Sequence, residues 1–257
     1  MDAMQGSFLP PVAILPGLLC DSRMFREVVA ALPHSGVIDG FYGGATTIEA
    51  MADYVIARLP QHACLLGHSM GARVALEVVR RAPERIDRLA LADTGVHPPA
   101  PGEADKRHAL AALGREHGMD ALVDHWLPPM LAAGSLENAG LVSALRAMCR
   151  AAGLEIYEAQ VAALLARPDA AAVLPTIRCP TFVIVGAEDR WSPPSQHEAI
   201  ADAIPGAVLR VIDGAGHMLP AEAPDAFAAV LAEWLTYTPT PQPNFIDGDQ
   251  CDRVARA

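Results

Sequence analysis

Short runs of consecutive apolar residues alternate along this chain with longer stretches of helical character. Val12–Leu15 stops at Pro16-Gly17, Ala63–Leu66 at Gly67, Leu89–Ala92 at Asp93, Thr181–Val185 at Gly186 and Val208–Ile212 at Asp213-Gly214. Runs of four or five residues without polar alternation suit strands buried on both faces, as in a parallel sheet. Gly36–Asp39 is a further, weakly marked candidate. Thr46-x-x-Glu49 is a capping box that predicts a helix to about Leu59, ahead of Pro60. Ala72–Arg81 predicts a second, ended before Pro83. Ser195-x-x-Glu198 starts a third, which reaches about Ile204, and Ala223–Leu235 is the last. Strands alternating with helices in this way predict a doubly wound, mostly parallel α/β sheet.

The alternation breaks between about residues 98 and 175, which are rich in Ala and Leu and lack strand-like runs. We therefore expect a core from residues 1–97 and 176–236, with 98–175 as a helical cap. In open α/β sheets ligands bind outside the carboxyl ends of the strands, where such a cap would sit. Residues 237–257 are expected to form an extended tail, because Pro239, Pro241 and Pro243 oppose both helix and interior strand.

Composition narrows the function. Of 257 residues, 52% are apolar and 19% charged, which excludes a disordered chain and disfavours a coiled coil. The net charge of −11 comes without a Lys/Arg cluster, so neither nucleic acid nor an anionic membrane is an expected partner. Cys20, Cys64, Cys149, Cys179 and Cys251 are widely spaced with no CxxC, so reduced thiols are expected, with no zinc site and no disulfide frame. The first residues lack a basic start and a long apolar run. No signal peptide is expected, and a cytoplasmic location follows.

The chemistry begins at Gly67-His68-Ser69-Met70-Gly71. A G-x-S-x-G that follows a buried strand and opens a helix is a nucleophile elbow, with serine on a tight turn and glycines where the backbones pass. A nucleophilic serine needs a base, and the base needs an orienting acid. Among nine histidines, His217 stands in a Gly-rich loop directly after the last strand-like run, where it could reach back to Ser69. His34, His62, His97, His108, His117, His125 and His197 read as surface residues, and His68 as support for the turn. Three aspartates compete as orienter. Asp189 follows a buried strand and precedes His217; Asp93 also ends a strand; Asp213 lies close to His217 in sequence. Asp189 is preferred, because the order serine, acid, histidine is the one this arrangement uses. Glu188 beside it reads as solvated. The turn Pro16–Cys20 after the first strand should supply one oxyanion donor, the Leu18 N–H, and the elbow the other, the Met70 N–H. Cys20 reads as a packed thiol.

These segments resemble the α/β-hydrolase fold family: Leu15-Pro-Gly-Leu-Leu-Cys-Asp21, Gly67-His-Ser-Met-Gly71, Val185-Gly-Ala-Glu-Asp189 with Pro193, and Gly214-Ala-Gly-His217 with Glu222 and Pro224. The resemblance covers about residues 9 to 236 and is greatest to the small capped bacterial branch that includes carboxylesterases and 3-oxoadipate enol-lactonases. It implies an acid after the penultimate strand and a base after the last, matching Asp189 and His217, and a cap lining an acyl pocket. Two departures stand out. Pro16-Gly17 replaces the His-Gly many members carry, and the N-terminal antiparallel strand pair is expected to be missing or reduced. The serine speaks against the dehalogenase and epoxide hydrolase branches, where aspartate attacks.

The expectation is a metal- and cofactor-independent hydrolase of a small-molecule carboxylic ester or lactone, with Ser69, His217 and Asp189 as its triad. Trp126 and Met130 of the cap are candidate pocket residues. Two alternatives remain. One is C–C bond hydrolysis of a diketone-type substrate, favoured if a cap arginine such as Arg146 or Arg150 binds a carboxylate, although a solvated helix face is the preferred reading of both. The other is a non-catalytic ligand receptor on the same fold.

Overall fold

The computed structural model describes residues 10–239; most of the expected tail, together with Cys251, lies outside the described residues. Six parallel strands form one sheet in the order β2-β1-β3-β4-β5-β6, with β1 Val12–Leu15, β2 Ser35–Val37, β3 Ala63–His68, β4 Ile86–Ala92, β5 Thr181–Gly186 and β6 Val208–Ile212. All of β1, β3 and β5 is buried, as continuous apolar runs with helices on both faces require. Both neighbours of β1, namely β2 and β3, pair with it in parallel.

The helices are α1 Arg26–Ala31, α2 Ile48–Ile56, α3 Met70–Arg81, α4 Glu103–Trp126, α5 Ala133–Leu136, α6 Ala139–Ala152, α7 Leu154–Leu165, α8 Pro194–Ala203, α9 Leu219–Glu222 and α10 Pro224–Thr236. Helix α3 starts two residues before the expected Ala72 and α10 one residue after the expected Ala223, and the two expected capping residues also differ. The cap of α2 is Thr47, whose extended backbone lets its Oγ1 accept the Ala50 N–H at 3.2 Å, so Thr46 stays outside. Helix α8 begins at Pro194 with no side-chain cap. Proline's fixed φ suits the first helical position, so Ser195 falls inside the first turn.

Helices α4 to α7 lie between β4 and β5 and contain no strand, and α4 packs on α6 and α7. Gly118 breaks α4 at φ 82°. The strand order reverses between β1 and β3, so their carboxyl ends flank the crevice where doubly wound sheets bind ligands. The Pro16–Cys20 turn leaves β1 there, and Ser69 leaves β3. No helix among the described residues is long and apolar enough to cross a membrane.

Candidate active site

Ser69 sits between β3 and α3 with φ 55° and ψ −116°, a conformation costly for a residue with a side chain. Its surroundings hold it there. The Ser69 N–H donates to Ala92 O at 2.8 Å, and the Thr94 hydroxyl donates to Ser69 O at 3.0 Å. The flanking glycines are steric necessities: a Cβ on Gly67 would lie 2.4 Å from Ala72 Cα, and one on Gly71 would lie 2.1 Å from Leu15 O.

The loop after β6 returns His217 to the serine. Its Nε2 lies 2.8 Å from Ser69 Oγ, and its Nδ1 lies 2.8 Å from Asp189 Oδ2. The second Asp189 oxygen accepts the Trp191 and Ser192 N–H groups at 2.8 and 2.9 Å. Burial pushes the Asp189 carboxyl up, but the adjoining His217 and those two N–H donors outweigh it and hold it below its ordinary value. An acceptor held ionised at Oδ2 fixes the proton on His217 Nδ1 and leaves the Nε2 lone pair facing Ser69, an assignment read from the bonding network.

Glu222 fastens the histidine loop, accepting from Gly216 N and Met218 N at 3.1 and 2.9 Å and from Ala132 N at 2.8 Å. The His217 N–H donates to Met130 O at 2.7 Å, tying the loop to the segment after α4. His68 supports the turn, with its Nε2–H donating to His217 O at 2.8 Å; burial pushes its pKa down to about 4, so it stays neutral.

The other aspartates are placed differently. Asp93 is wholly buried, accepts the Gly186 N–H at 3.0 Å, and has its second oxygen 3.6 Å from His68 Nε2. Burial, then the Asp189 charge, push its carboxyl well above the ordinary range. Asp213 is exposed.

At the end of β1, Tyr42 Oη donates to Pro16 O at 2.7 Å, and Leu19, at φ 60°, donates its N–H to Gln160 Oε1 at 2.9 Å. Leu18 N–H has no partner among the described residues, and Met70 is the first residue of α3, where N–H groups lack intrahelical acceptors. Leu18, Met70, Trp126 and Met130 line, with Ser69 and His217, a cavity of about 330 Å³. Cys20 is buried, its thiol bonded to Leu18 O at 3.3 Å, and burial pushes it well above its ordinary value.

Two expectations need correction. His197 is not a surface residue: it is fully buried on α8, and its Nε2 accepts the Thr94 N–H at 2.8 Å. Burial pushes it down to about 4, which keeps that acceptor free. Glu188 is half-buried and accepts the Ala133 N–H at 3.0 Å, so it joins the β5 loop to α5. Arg146 and Arg150 do not line the cavity; their side chains are solvent-accessible and pair with Asp124 and Asp120, in keeping with the solvated helix face preferred for them. The arginines that do line it are Arg73, Arg107, Arg167 and Arg190. One signal for Arg73 was present in the sequence: it stands four residues after Ser69, hence one helical turn on and on the same face. Among the described residues no group of three or more His, Cys, Asp and Glu side chains could hold a metal ion.

A family model described as the alpha/beta hydrolase family matches residues 12–230. The chain is 31% identical over 211 residues to a pimeloyl-[acyl-carrier protein] methyl ester esterase of Aromatoleum aromaticum, covering 75% of this chain and 80% of that protein. It is also 27% identical over 260 residues to a Burkholderia thailandensis polyketide synthase, of which it spans only 12%. Among solved structures, a thermophilic esterase from Thermogutta terrifontis, with malate bound, superposes at a TM-score of 0.77 with 30% identity, covering 88% of this chain and 89% of that one. The enol-lactonase from Burkholderia xenovorans LB400 superposes at 0.77 with 27% identity, covering 92% and 95%. With a matched family model over most of its length and esterases and a lactonase among its relatives, the chain belongs to the alpha/beta hydrolase family.

Proposed function

We propose that this protein is a serine hydrolase that cleaves a carboxylic ester or lactone through an acyl-enzyme. The observation that carries the reading is the unbroken line from Ser69 Oγ through the His217 ring to Asp189, opening on a cavity of about 330 Å³. In this reading His217 Nε2 takes the proton of Ser69 as Oγ attacks the carbonyl carbon. The Leu18 and Met70 N–H groups receive the negative charge that develops on the carbonyl oxygen, a stabilisation stronger in the transition state than in the substrate. His217 then gives its proton to the leaving alkoxide, and the alcohol departs. Water, deprotonated by the same imidazole, attacks the acyl-enzyme and frees the acid and Ser69. Asp189 holds the imidazole in the productive tautomer throughout and steadies the transient imidazolium. Residues 98–175 act as a cap whose Trp126 and Met130 shape the acyl pocket.

A second reading, C–C bond hydrolysis of a diketone-type substrate, draws on one observation: Arg107 and Arg167, both from the segment between β4 and β5, line the cavity. The test is a panel of p-nitrophenyl esters of graded chain length beside simple lactones and a diketone substrate, with wild type and Ser69→Ala. Ester or lactone turnover lost in Ser69→Ala supports the reading. Turnover of the diketone alone would replace it with the second, and ester turnover retained in Ser69→Ala would overturn it.

A further inference from the structure

The charge around the cavity runs opposite to that of the molecule. The chain carries a net −11, yet the cavity wall presents Arg73, Lys106, Arg107, Arg167 and Arg190 against Glu103 as the single carboxylate among its lining residues. Three of those arginines are buried: Arg73 is 9% exposed, Arg107 6% and Arg167 5%. Buried cations are ordinarily paired, yet the one carboxylate, Glu103, pairs with Arg107 and Arg167 and not with Arg73.

The sharing is uneven. Arg167 takes both oxygens of Glu103, at 2.6 and 2.7 Å, and donates to the carbonyls of Leu164, His97 and Pro98. Its donors are largely used. Arg107 has only its Nε bonded, to Glu103 Oε1 at 2.8 Å, while its guanidinium carbon lies 5.7 Å from the Trp191 ring centre. Arg73 has no ion pair among the described residues and a single bond, Nη1 to His97 O at 3.0 Å, out of five N–H donors. Burial, then the Arg167 charge, push the Arg73 guanidinium down to about 9, with Arg107 adding to the push and Glu103 and Asp169 opposing it. Arg73 also borders a second cavity of about 170 Å³, but Glu49, Glu77 and Asp169 line that one, so its charges are already balanced. The excess of cations over carboxylates is thus confined to the lining of the cavity beside Ser69.

We infer that the cavity binds an ester or lactone that itself carries a carboxylate, held by the unused N–H groups of Arg73 and Arg107 while Ser69 faces the scissile carbonyl. The inference rests on the hydrolase reading and adds the substrate's charge class to it. Guanidinium groups suit a carboxylate because their planar forks match its two oxygens. Arg73 stands one turn along α3 from Ser69, a rise of about 6 Å, so the carboxylate and the reacting carbonyl belong to one short molecule.

The test compares matched substrates. kcat/KM is measured for the monomethyl esters of succinate, glutarate and adipate, each an anion at neutral pH, and for the corresponding neutral dimethyl esters. Wild type, Arg73→Gln, Arg107→Gln and, as a control outside the cavity, Arg146→Gln are compared. The expected result is a wild-type preference for the anionic ester of at least tenfold at one chain length. Arg73→Gln and Arg107→Gln should bring that ratio to within about threefold of unity, and Arg146→Gln should leave it unchanged, because a charge-assisted hydrogen bond contributes on this scale. Turnover without an anionic preference, or a preference that survives both cavity substitutions, overturns the inference and leaves the hydrolase reading standing. If no ester is turned over, the hydrolase reading fails, and the anion site is judged by binding. Tryptophan fluorescence, reporting from Trp126 and Trp191 in the cavity wall, is titrated with the three diacids and with their neutral diamides. Diacid binding lost in Arg73→Gln supports the site, and equal or absent responses to diacid and diamide overturn it.

Discussion

Replacing Asp189 by Asn tests the proposed role of the carboxylate without changing its shape. Asp189 Oδ1 accepts two backbone N–H groups, and Oδ2 faces His217 Nδ1. An asparagine must keep its carbonyl oxygen toward the Trp191 and Ser192 donors, since the flipped amide would set N–H against N–H. Its NH2 group is thereby forced onto His217. The imidazole then turns its Nδ1 lone pair to that donor and carries its proton on Nε2, where it can no longer accept from Ser69. In the serine-protease template the same exchange lowers kcat by roughly 10⁴-fold with the geometry kept, which is about 5 kcal/mol at 1.36 kcal/mol per factor of ten. We expect a loss of that order in kcat for p-nitrophenyl butyrate, with KM changed by less than about threefold and a cooperative thermal transition retained. A variant within tenfold of wild type would refute the tautomer argument. Loss of activity in Asp93→Asn with Asp189→Asn near wild type would move the orienting acid to the end of β4.

Three more outcomes follow from named contacts. Burial, then the Asp189 charge, raise the Asp93 carboxyl, so its contribution to stability is complete below the unfolded carboxyl value near 3.9 and is lost as pH rises toward its raised folded value. The Tm of Asp93→Asn minus that of wild type should therefore grow between pH 4 and pH 8 in calorimetry; a constant gap would contradict a raised Asp93 carboxyl. Gln160→Leu strips the buried Leu19 N–H of its acceptor and should cost about 1–3 kcal/mol in urea unfolding, with kcat falling more than KM changes if that turn positions an oxyanion donor. Gly71→Ala, whose Cβ would lie 2.1 Å from Leu15 O, should lose at least the ~1–3 kcal/mol of an overpacked core; Gly36→Ala, with nothing within 4 Å, should stay within about 0.5 kcal/mol of wild type.

The strands were legible where both faces of the sheet are covered, which makes β1 a continuous buried apolar run with a visible end; the edge strand β6, with Arg210 inside it and Val211 exposed, is only partly buried and departs from that expectation. Their glycines misled in one respect. Gly67 and Gly186 look like stops but lie within β3 and β5, where the backbones of α3 and of residues 215–216 approach too closely for a Cβ. Ser69, His217 and Asp189 could be nominated because each lies in the turn or loop that follows a strand, and strand ends converge at one edge of a parallel sheet. His197 could not, because a histidine in a polar helical segment carries no mark of burial; its burial follows from the way α8 packs beside β5, bringing it to the Thr94 N–H. Apart from the place of Arg73 one turn after Ser69, the convergence of the cavity arginines was illegible for a related reason. Arg73, Arg107 and Arg167 come from α3, α4 and the segment after α7, and nothing in their spacing says that they meet.

The central claim is that Ser69 becomes covalently acylated during turnover. Wild type mixed with excess p-nitrophenyl butyrate, quenched in acid within the first turnovers and analysed by mass spectrometry after proteolysis, tests it directly. The account predicts a butyryl adduct on the peptide bearing Ser69, absent from Ser69→Ala, and accumulating in Asp189→Asn only far more slowly. Turnover that proceeds with no adduct, or with the adduct on another residue such as Cys20, would contradict it.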